Sequence, residues 1–401
     1  MSGKHQAPQH LRVDASPPRL SWARPILAAT LLLGLAGVVI LRPGIGGGDG
    51  DGPSPTTLPA AQGDAISLCT RASLEDRTGL VLVVGLPGVT SAADPLVDRL
   101  AAIGVGGVML RDANILDEAQ ATELVSGLRA RLGAHLLVAV DDEGGRVSSM
   151  GALGQSRTSA RRLGQRGVEA AQEAGADLGE LASSVGIDWV FAPVADLDDG
   201  PASGVIGDRS FGDDPQSVAA AAGAFADGIR SAGVAVTAKH FPGHGGEGDP
   251  HAGDTVDPTP LDVLEAEDLV PFEALVDDGA EAVMVGHVAY TAVWGDLPAS
   301  LQPGAYQLLR DLGFHGVAIT DALGMGAVHA RFGFDRAPAM AVAAGADAVL
   351  VNQGDEVEVL HDGLVAAVRE GRLDEGRLDE AVRRVLALRG QSPDGVVCPA
   401  A

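Results

Sequence analysis

The chain has 401 residues, 46% hydrophobic, 3% aromatic and 20% charged, and 54 Asp and Glu against 28 Lys and Arg give a formal net charge of −26. Such a surface repels a polyanion, which excludes nucleic acid as a partner, and 55 glycines in an Ala/Val/Leu-rich background exclude wholesale disorder. Lysine occurs only as Lys4 and Lys239, so Lys239 needs an explanation.

Residues 1–24 read as a basic cytoplasmic tail. Pro25–Leu41 follows as an uninterrupted apolar run of about 17 residues, the short end of what crosses a bilayer as a helix. Lys4, Arg12, Arg19 and Arg24 precede it, and Arg42, then Asp49 and Asp51, come after it. The positive-inside rule therefore puts the N-terminus in the cytoplasm and the rest of the chain outside. A cleaved signal peptide, giving a secreted protein, is the alternative. The following LRPGIGGGDGDG lacks a small-x-small cleavage site, which favours an uncleaved single-pass anchor in the cell membrane. Residues 42–64 are rich in Gly, Pro, Asp, Ser and Thr, the composition of a flexible linker.

A folded domain is expected over residues 65–395. Eight short apolar, β-branched runs appear in it: Leu80–Val84, Gly106–Leu110, Leu136–Val140, Trp189–Val194, Val234–Lys239, Ala282–Val285, Gly316–Thr320 and Ala346–Val351. Segments of helical period fall between them, including Asp117–Leu132, Ala160–Ser184, Pro215–Ala232, Leu261–Asp278 and Glu356–Glu370, with Gly186, Gly233, Gly279 and Gly345 closing helices before strands. Eight strand-helix units in this length predict an α/β fold, a single (β/α)8 TIM barrel behind an anchor helix and linker.

In such a barrel the chemistry sits at the carboxyl ends of the strands. The third run ends at Asp141 followed by DEGGR, and the fourth leads to VIGDRSFG with Arg209. The fifth ends in Lys239-His240 and runs into FPGHG; the sixth, seventh and eighth end at His287, Asp321 and Asn352. The strand starts show no comparable concentration. His240, His244 and His251 crowd one segment, but Pro242-Gly243 between the first two prevents a HExxH-like helical face, so no metal site is expected, nor any cofactor.

AVDDEGGRV, FAPVADLDDG, VIGDRSFG, KHFPGHG, the Asp-x-His at Asp249 and His251, and TDALGMGA together resemble family 3 glycoside hydrolases, in the β-N-acetylglucosaminidase (β-hexosaminidase) branch, from about Leu74 to Arg389. The resemblance implies a retaining enzyme with Asp321 as nucleophile, His251 as acid/base and Asp249 as the partner of that histidine. It implies that Asp141, Arg209, Lys239 and His240 bind the nonreducing sugar. An ionised Asp321 suits an oxocarbenium-like transition state, and a histidine, with an ordinary pKa near 6.5, can donate and recover a proton around neutrality. Asp249 would orient the imidazole, as the carboxylate does in a Ser-His-Asp triad. The implied partner is an N-acetylglucosamine-containing carbohydrate, released from cell-wall-derived glycans.

Three features depart from the family pattern. The loop between Gly245 and Asp249 is one residue short, Pro250 replaces a usual Ser or Thr, and Ser149 stands where close relatives have an arginine. No second domain is expected after the barrel. Plainer readings stand beside the catalytic ones: Asp321 as a helix N-cap, Asp141 as a cap of the GGR turn, Arg209 paired with Asp208 or Asp213, and His240 as a satisfied barrel histidine. A glycoside phosphorylase, a β-glucosidase and a noncatalytic sugar-binding barrel remain the alternatives in function. Cys69 and Cys398 flank the domain and are compatible with either a disulfide or two thiols. A mass shift on alkylation without reductant excludes the disulfide; an unchanged mass supports it.

Overall fold

The computed structural model describes residues 72–154, 157–198, 200–244 and 248–390. The expected anchor, the linker and both cysteines lie outside the described residues. Among the described residues no helix is long and apolar enough to cross a membrane.

Each of the eight runs carries a strand: β1 (Leu82–Gly85), β2 (Gly107–Leu110), β3 (Leu137–Val140), β4 (Trp189–Val190), β5 (Ala235–Phe241), β6 (Ala282–Val285), β7 (Val317–Thr320) and β8 (Val349–Val351). They pair in parallel in chain order, β1 also pairs with β8, and the isolated bridge between Ile319 and Ala348 joins β7 to β8. The ring is a barrel. Because side chains alternate across a strand, every second residue points inward. Val83, Met109, Leu137, Ala139, Trp189, Met284, Ile319 and Leu350 fill the interior, while their neighbours Val84, Val108, Val138, Val190, Val283 and Val349 pack outward under the helices. The Trp189 indole satisfies its N–H inside the barrel on Thr237 Oγ1 at 2.7 Å.

Helices fill the crossovers, and several begin where the sequence says they should. Asp94 and Asp214 each cap a helix that starts with proline, at Pro95 and Pro215, and Asp117 and Asp374 cap the helices Glu118–Leu132 and Glu375–Leu388. The helices Val168–Ser184 and Pro215–Ser231 approach so closely that a Cβ at Gly175 would stand 2.1 Å from the Phe225 carbonyl oxygen.

Two expected helices are broken. Ala160–Ser184 divides at Gly167, whose φ of +99° no helix accommodates. Leu261–Asp278 divides into Leu261–Ala266 and Leu269–Asp277, because Pro271 would clash with the carbonyl of residue 267 in a continuous helix. The fourth expected strand is regular only over Trp189–Val190: Pro193 has no N–H to pair, while the Ala192 and Pro193 carbonyls still accept the N–H groups of Thr237 and Lys239 at 2.9 and 3.1 Å and Val194 bridges to Lys239.

The amino-terminal face of the barrel is held by Asp347. Its buried carboxylate takes Arg310 and Arg377 at 2.5 Å and Arg384 at 3.0 Å, and accepts the Ala318 N–H at 2.9 Å. Removing one partner of such a cluster leaves uncompensated charge in low dielectric. Asp347→Asn is expected to cost about 3–5 kcal/mol in urea unfolding, while the folded protein keeps a kcat/KM within about twofold of wild type, since this face is remote from the strand ends that carry the site.

Candidate active site

A cavity of about 190 Å³ opens at the carboxyl ends of the strands. Its wall brings together Asp141, Arg209, Lys239, His240, His251 and Asp321, with Arg111, His244 and Asn352 beside them. Of the seven site residues expected from the sequence, Asp249 alone does not line the cavity; it stands behind His251.

Lys239 and His240 are consecutive in β5, yet both face the cavity. A regular strand would send them to opposite sides. Between Lys239 and Phe241 the register of β5 against β6 shifts and the Lys239–His240 peptide is cis, and His240, without a partner in that ladder, joins Lys239 at the mouth.

Lys239 is buried, so its ammonium requires anions. Nζ donates to Asp141 Oδ1 and to Glu143 Oε1, each at 2.6 Å. Arg209 grips the same Glu143 with a two-pronged contact, Nε to Oε2 at 2.7 Å and Nη2 to Oε1 at 2.8 Å. Burial alone would lower the Lys239 pKa, but Asp141 and Glu143 outweigh it and hold it above the ordinary value. Burial pushes Glu143 up, and Lys239 and Arg209 reverse this, holding it well below the carboxylate range. Two basic and two acidic side chains thus form one cluster whose formal charges balance.

Glu143 and Asp196 escaped the sequence reading. Glu143 lies two residues beyond Asp141, on the same face of the extended chain, and that period-two offset was a usable signal. Asp196, two residues after Val194, is buried and accepts three contacts: the backbone N–H groups of His240 at 3.0 Å and His244 at 2.8 Å, and His240 Nδ1 at 2.7 Å. Arg209 Nη2 reaches His240 Nε2 at 3.4 Å. A carboxylate can only accept, so His240 carries Nδ1–H toward Asp196. The ion-pair partner of Arg209 is Glu143, not Asp208 or Asp213; Asp208 pairs with Arg146 at 3.2 Å. Arg146 also donates to the carbonyls of Gly204, Val205 and Ile206, and Arg161 to those of Asp198, Gly200 and Gly207, which fixes the loop that presents Arg209.

Asp321 follows β7. Its N–H donates to Val285 O at 2.9 Å and its Oδ1 accepts the Ala322 N–H at 2.7 Å. The next helix, Gly326–Phe332, starts five residues later with Met325 as its N-cap residue, so Asp321 does not cap it. Burial raises the Asp321 pKa, but His240, His287, the Ala322 N–H and Lys239 together bring it down to about 2. It is a carboxylate at any physiological pH. Behind it, buried His287 bonds Ala322 O through Nε2 at 3.0 Å and Ser300 Oγ through Nδ1 at 2.7 Å. A carbonyl can only accept, so Nε2 carries the proton.

His251 is exposed and tied to Asp249: Oδ1 accepts the His251 N–H at 3.0 Å and meets Nδ1 at 2.8 Å. Among the described residues nothing engages Nε2, which is placed to exchange a proton. The loop docks on the helix after β7, where Ala327 N–H donates to Pro250 O at 3.1 Å. Residues 245–247, including the short stretch of this loop, lie outside the described residues.

The sequence matches the model of the glycosyl hydrolase family 3 N-terminal domain over residues 74–388. It is 39% identical to beta-hexosaminidase LpqI of Mycobacterium tuberculosis over 360 residues, 85% of this chain and 90% of that one. A beta-hexosaminidase of Xylella fastidiosa is 40% identical over 295 residues, 71% and 86% of the two chains. Among solved structures, M. tuberculosis LpqI superposes with a TM-score of 0.74 at 40% identity, covering 80% of this chain and 95% of that one. A family 3 β-N-acetylglucosaminidase from Paenibacillus sp. str. FPU-7 gives a TM-score of 0.76 at 33% identity, covering 82% of this chain and 64% of that longer one.

One half-buried carboxyl near the site stands among like charges. Asp268 packs against Gly243, where an added Cβ would meet its Oδ1 at 2.8 Å. Burial, then the charges of Asp196, Asp257 and Glu267, push it up to about 7. The native state keeps a proton that the unfolded chain, with a pKa near 3.9, has lost. Its contribution to stability is therefore complete below about pH 4 and disappears as pH rises through 7. Asp268→Asn should raise Tm at pH 8 by about 2–4 °C, and the gain should vanish in scans at pH 4.

Proposed function

The chain belongs to glycosyl hydrolase family 3 and is a glycoside hydrolase of the β-N-acetylhexosaminidase type, and from that premise we propose a retaining mechanism in which Asp321 is the nucleophile and His251 the acid/base. The observation that carries it is the contrast between the two: a carboxylate held ionised on the cavity wall, with a pKa of about 2, and an imidazole on the same wall with a free Nε2 and a carboxylate at Nδ1.

In the first step an Asp321 oxygen bonds to the anomeric carbon as the bond to the leaving oxygen breaks, and that oxygen takes the proton from His251 Nε2. Asp249 stabilises the imidazolium and keeps Nδ1–H directed at itself. In the second step a water oxygen attacks the anomeric carbon, its proton passes to His251 Nε2, and the Asp321 carboxylate is released. The Asp141–Lys239–Glu143–Arg209 cluster and His240 supply fixed polar groups for the sugar hydroxyls. Their mutual bonds hold them in place before a sugar arrives, which is the condition for electrostatic stabilisation of the transition state.

Terminal nonreducing N-acetylglucosamine on cell-wall-derived glycans is the proposed substrate. Display outside the cell membrane, through the segment Pro25–Leu41, is the proposed location and rests on the sequence alone. These readings agree with one another, since an extracytoplasmic enzyme meets the glycans of the wall.

An aryl N-acetyl-β-glucosaminide assay tests the mechanism. Asp321→Ala should lower kcat by about 1,000-fold or more; undiminished turnover sinks the nucleophile assignment. His251→Ala should lose activity that azide restores as glycosyl azide of retained β-configuration, and normal activity in that variant refutes the acid/base role. Added phosphate should leave the products unchanged. Accumulating sugar phosphate would make the enzyme a phosphorylase. Because Asp321 titrates near 2, the acid limb of kcat/KM above pH 4 should be unmoved by any change confined to that carboxylate's own ionisation.

A further inference from the structure

The pair that handles the proton stands where side-chain packing does not hold it. The His251 and Asp249 side chains are 67% and 46% exposed, and an ion pair so open to water fixes little by itself. What keeps the imidazole on the cavity wall therefore lies in the backbone beneath it.

Three features of that backbone converge. Asp249, Pro250, His251 and Ala252 form a tight turn, closed by the Ala252 N–H donating to Asp249 O at 2.9 Å. Pro250, the residue that departs from the family pattern, takes the second position of this turn, where its ring presets φ. It is buried between two exposed neighbours, and its carbonyl accepts the Ala327 N–H at 3.1 Å, a donor of the first turn of the helix Gly326–Phe332 that has no partner within that helix. Further along the loop, Thr255–Asp257 pairs with Val288–Tyr290, the segment that follows β6.

The approach is tightest at Gly326. A Cβ there would stand 2.9 Å from the His251 carbonyl oxygen and 3.2 Å from both the Ala252 carbonyl carbon and the Gly253 nitrogen. All three are backbone atoms of a closed turn, so they cannot swing aside as the end of a flexible side chain would. Gly326 also lies five residues beyond Asp321, so one short segment carries both that carboxylate and the seat of the histidine.

We propose that Gly326 is a positioning residue for the acid/base: by lacking a side chain it lets the Asp249–Ala252 turn rest on the helix after β7, which sets the reach of His251 toward a sugar bound at Asp321. The proposal rests on His251 being the acid/base. Two aryl N-acetyl-β-glucosaminides test it, because a phenyl leaving group needs the proton and 2,4-dinitrophenolate departs without one. On the phenyl substrate Gly326→Ala should lose about 10- to 100-fold in kcat/KM, the cost of moving a proton donor by about 1 Å. On the dinitrophenyl substrate it should stay within about threefold of wild type, which also shows that the variant is folded. In a His251→Ala background the same substitution should change kcat/KM by less than about threefold on either substrate.

Equal losses on the two substrates, or a loss that persists in the His251→Ala background, would mean that the methyl disturbs the barrel mouth as a whole, and would overturn the proposal. Unchanged kcat/KM on both substrates in Gly326→Ala overturns it as well. A His251→Ala enzyme that treats the two leaving groups as wild type does removes the premise. If that enzyme discriminates between them and Gly326→Ala does not, the role of Gly326 alone is lost.

Discussion

A lysine buried to 1% exposure sets the terms for the whole mouth of this barrel. An ammonium in low dielectric is tolerated only with anions in contact, and Lys239 draws them from the segment after β3, Asp141 and Glu143. The two carboxylates together carry one charge more than Lys239 balances, and Arg209, from the segment after β4, completes the set. Three successive strand ends are thus bound together through two carboxylates. Replacing such a cluster with apolar side chains is often neutral or stabilising in other proteins, so its presence here points to use and not to stability. It presents donors and acceptors already oriented, in a site where water would otherwise have to be reorganised.

The two ends of the barrel use buried charge for opposite purposes. At the amino-terminal face, Asp347 is surrounded by three arginines and a backbone N–H, every carboxylate lone pair is occupied, and the cluster closes the ring where β7 and β8 meet in a single bridge. At the carboxyl-terminal face the groups are only partly saturated. Asp321 accepts one N–H, Asn352 Oδ1 none, and His251 keeps Nε2 free. A carboxylate filled on every lone pair at one end, and a carboxylate and an imidazole with contacts to spare at the other, is the physical difference between a scaffold and a site.

Much of this was legible in the sequence. Eight apolar runs became eight strands because parallel strands covered on both faces must be continuously apolar, and the polar residues after the third, fourth, fifth, seventh and eighth runs marked the cavity, while His287 after the sixth is buried behind it. Six of the seven expected site residues line it, and the seventh holds His251. What escaped were residues whose role depends on a partner distant in sequence. Glu143 and Asp196 look like ordinary members of acidic stretches until the fold sets them against Lys239, Arg209 and His240. The bulge in β5 was invisible because nothing in the composition of AVTAKHF distinguishes it from a regular strand. The split of Leu261–Asp278 was readable from Pro271, and the apolar period obscured it.

The bulge at His240 has a further consequence for how this protein can change over time. Side-chain replacements elsewhere in β5 leave the face of each position intact. Losing the extra residue between Lys239 and Phe241 would instead remove the register shift, and only one side chain could then face the mouth at this point of the strand. Lineages of this enzyme should therefore vary in length freely in the exposed loops, while β5 keeps a fixed residue count even where its identities drift.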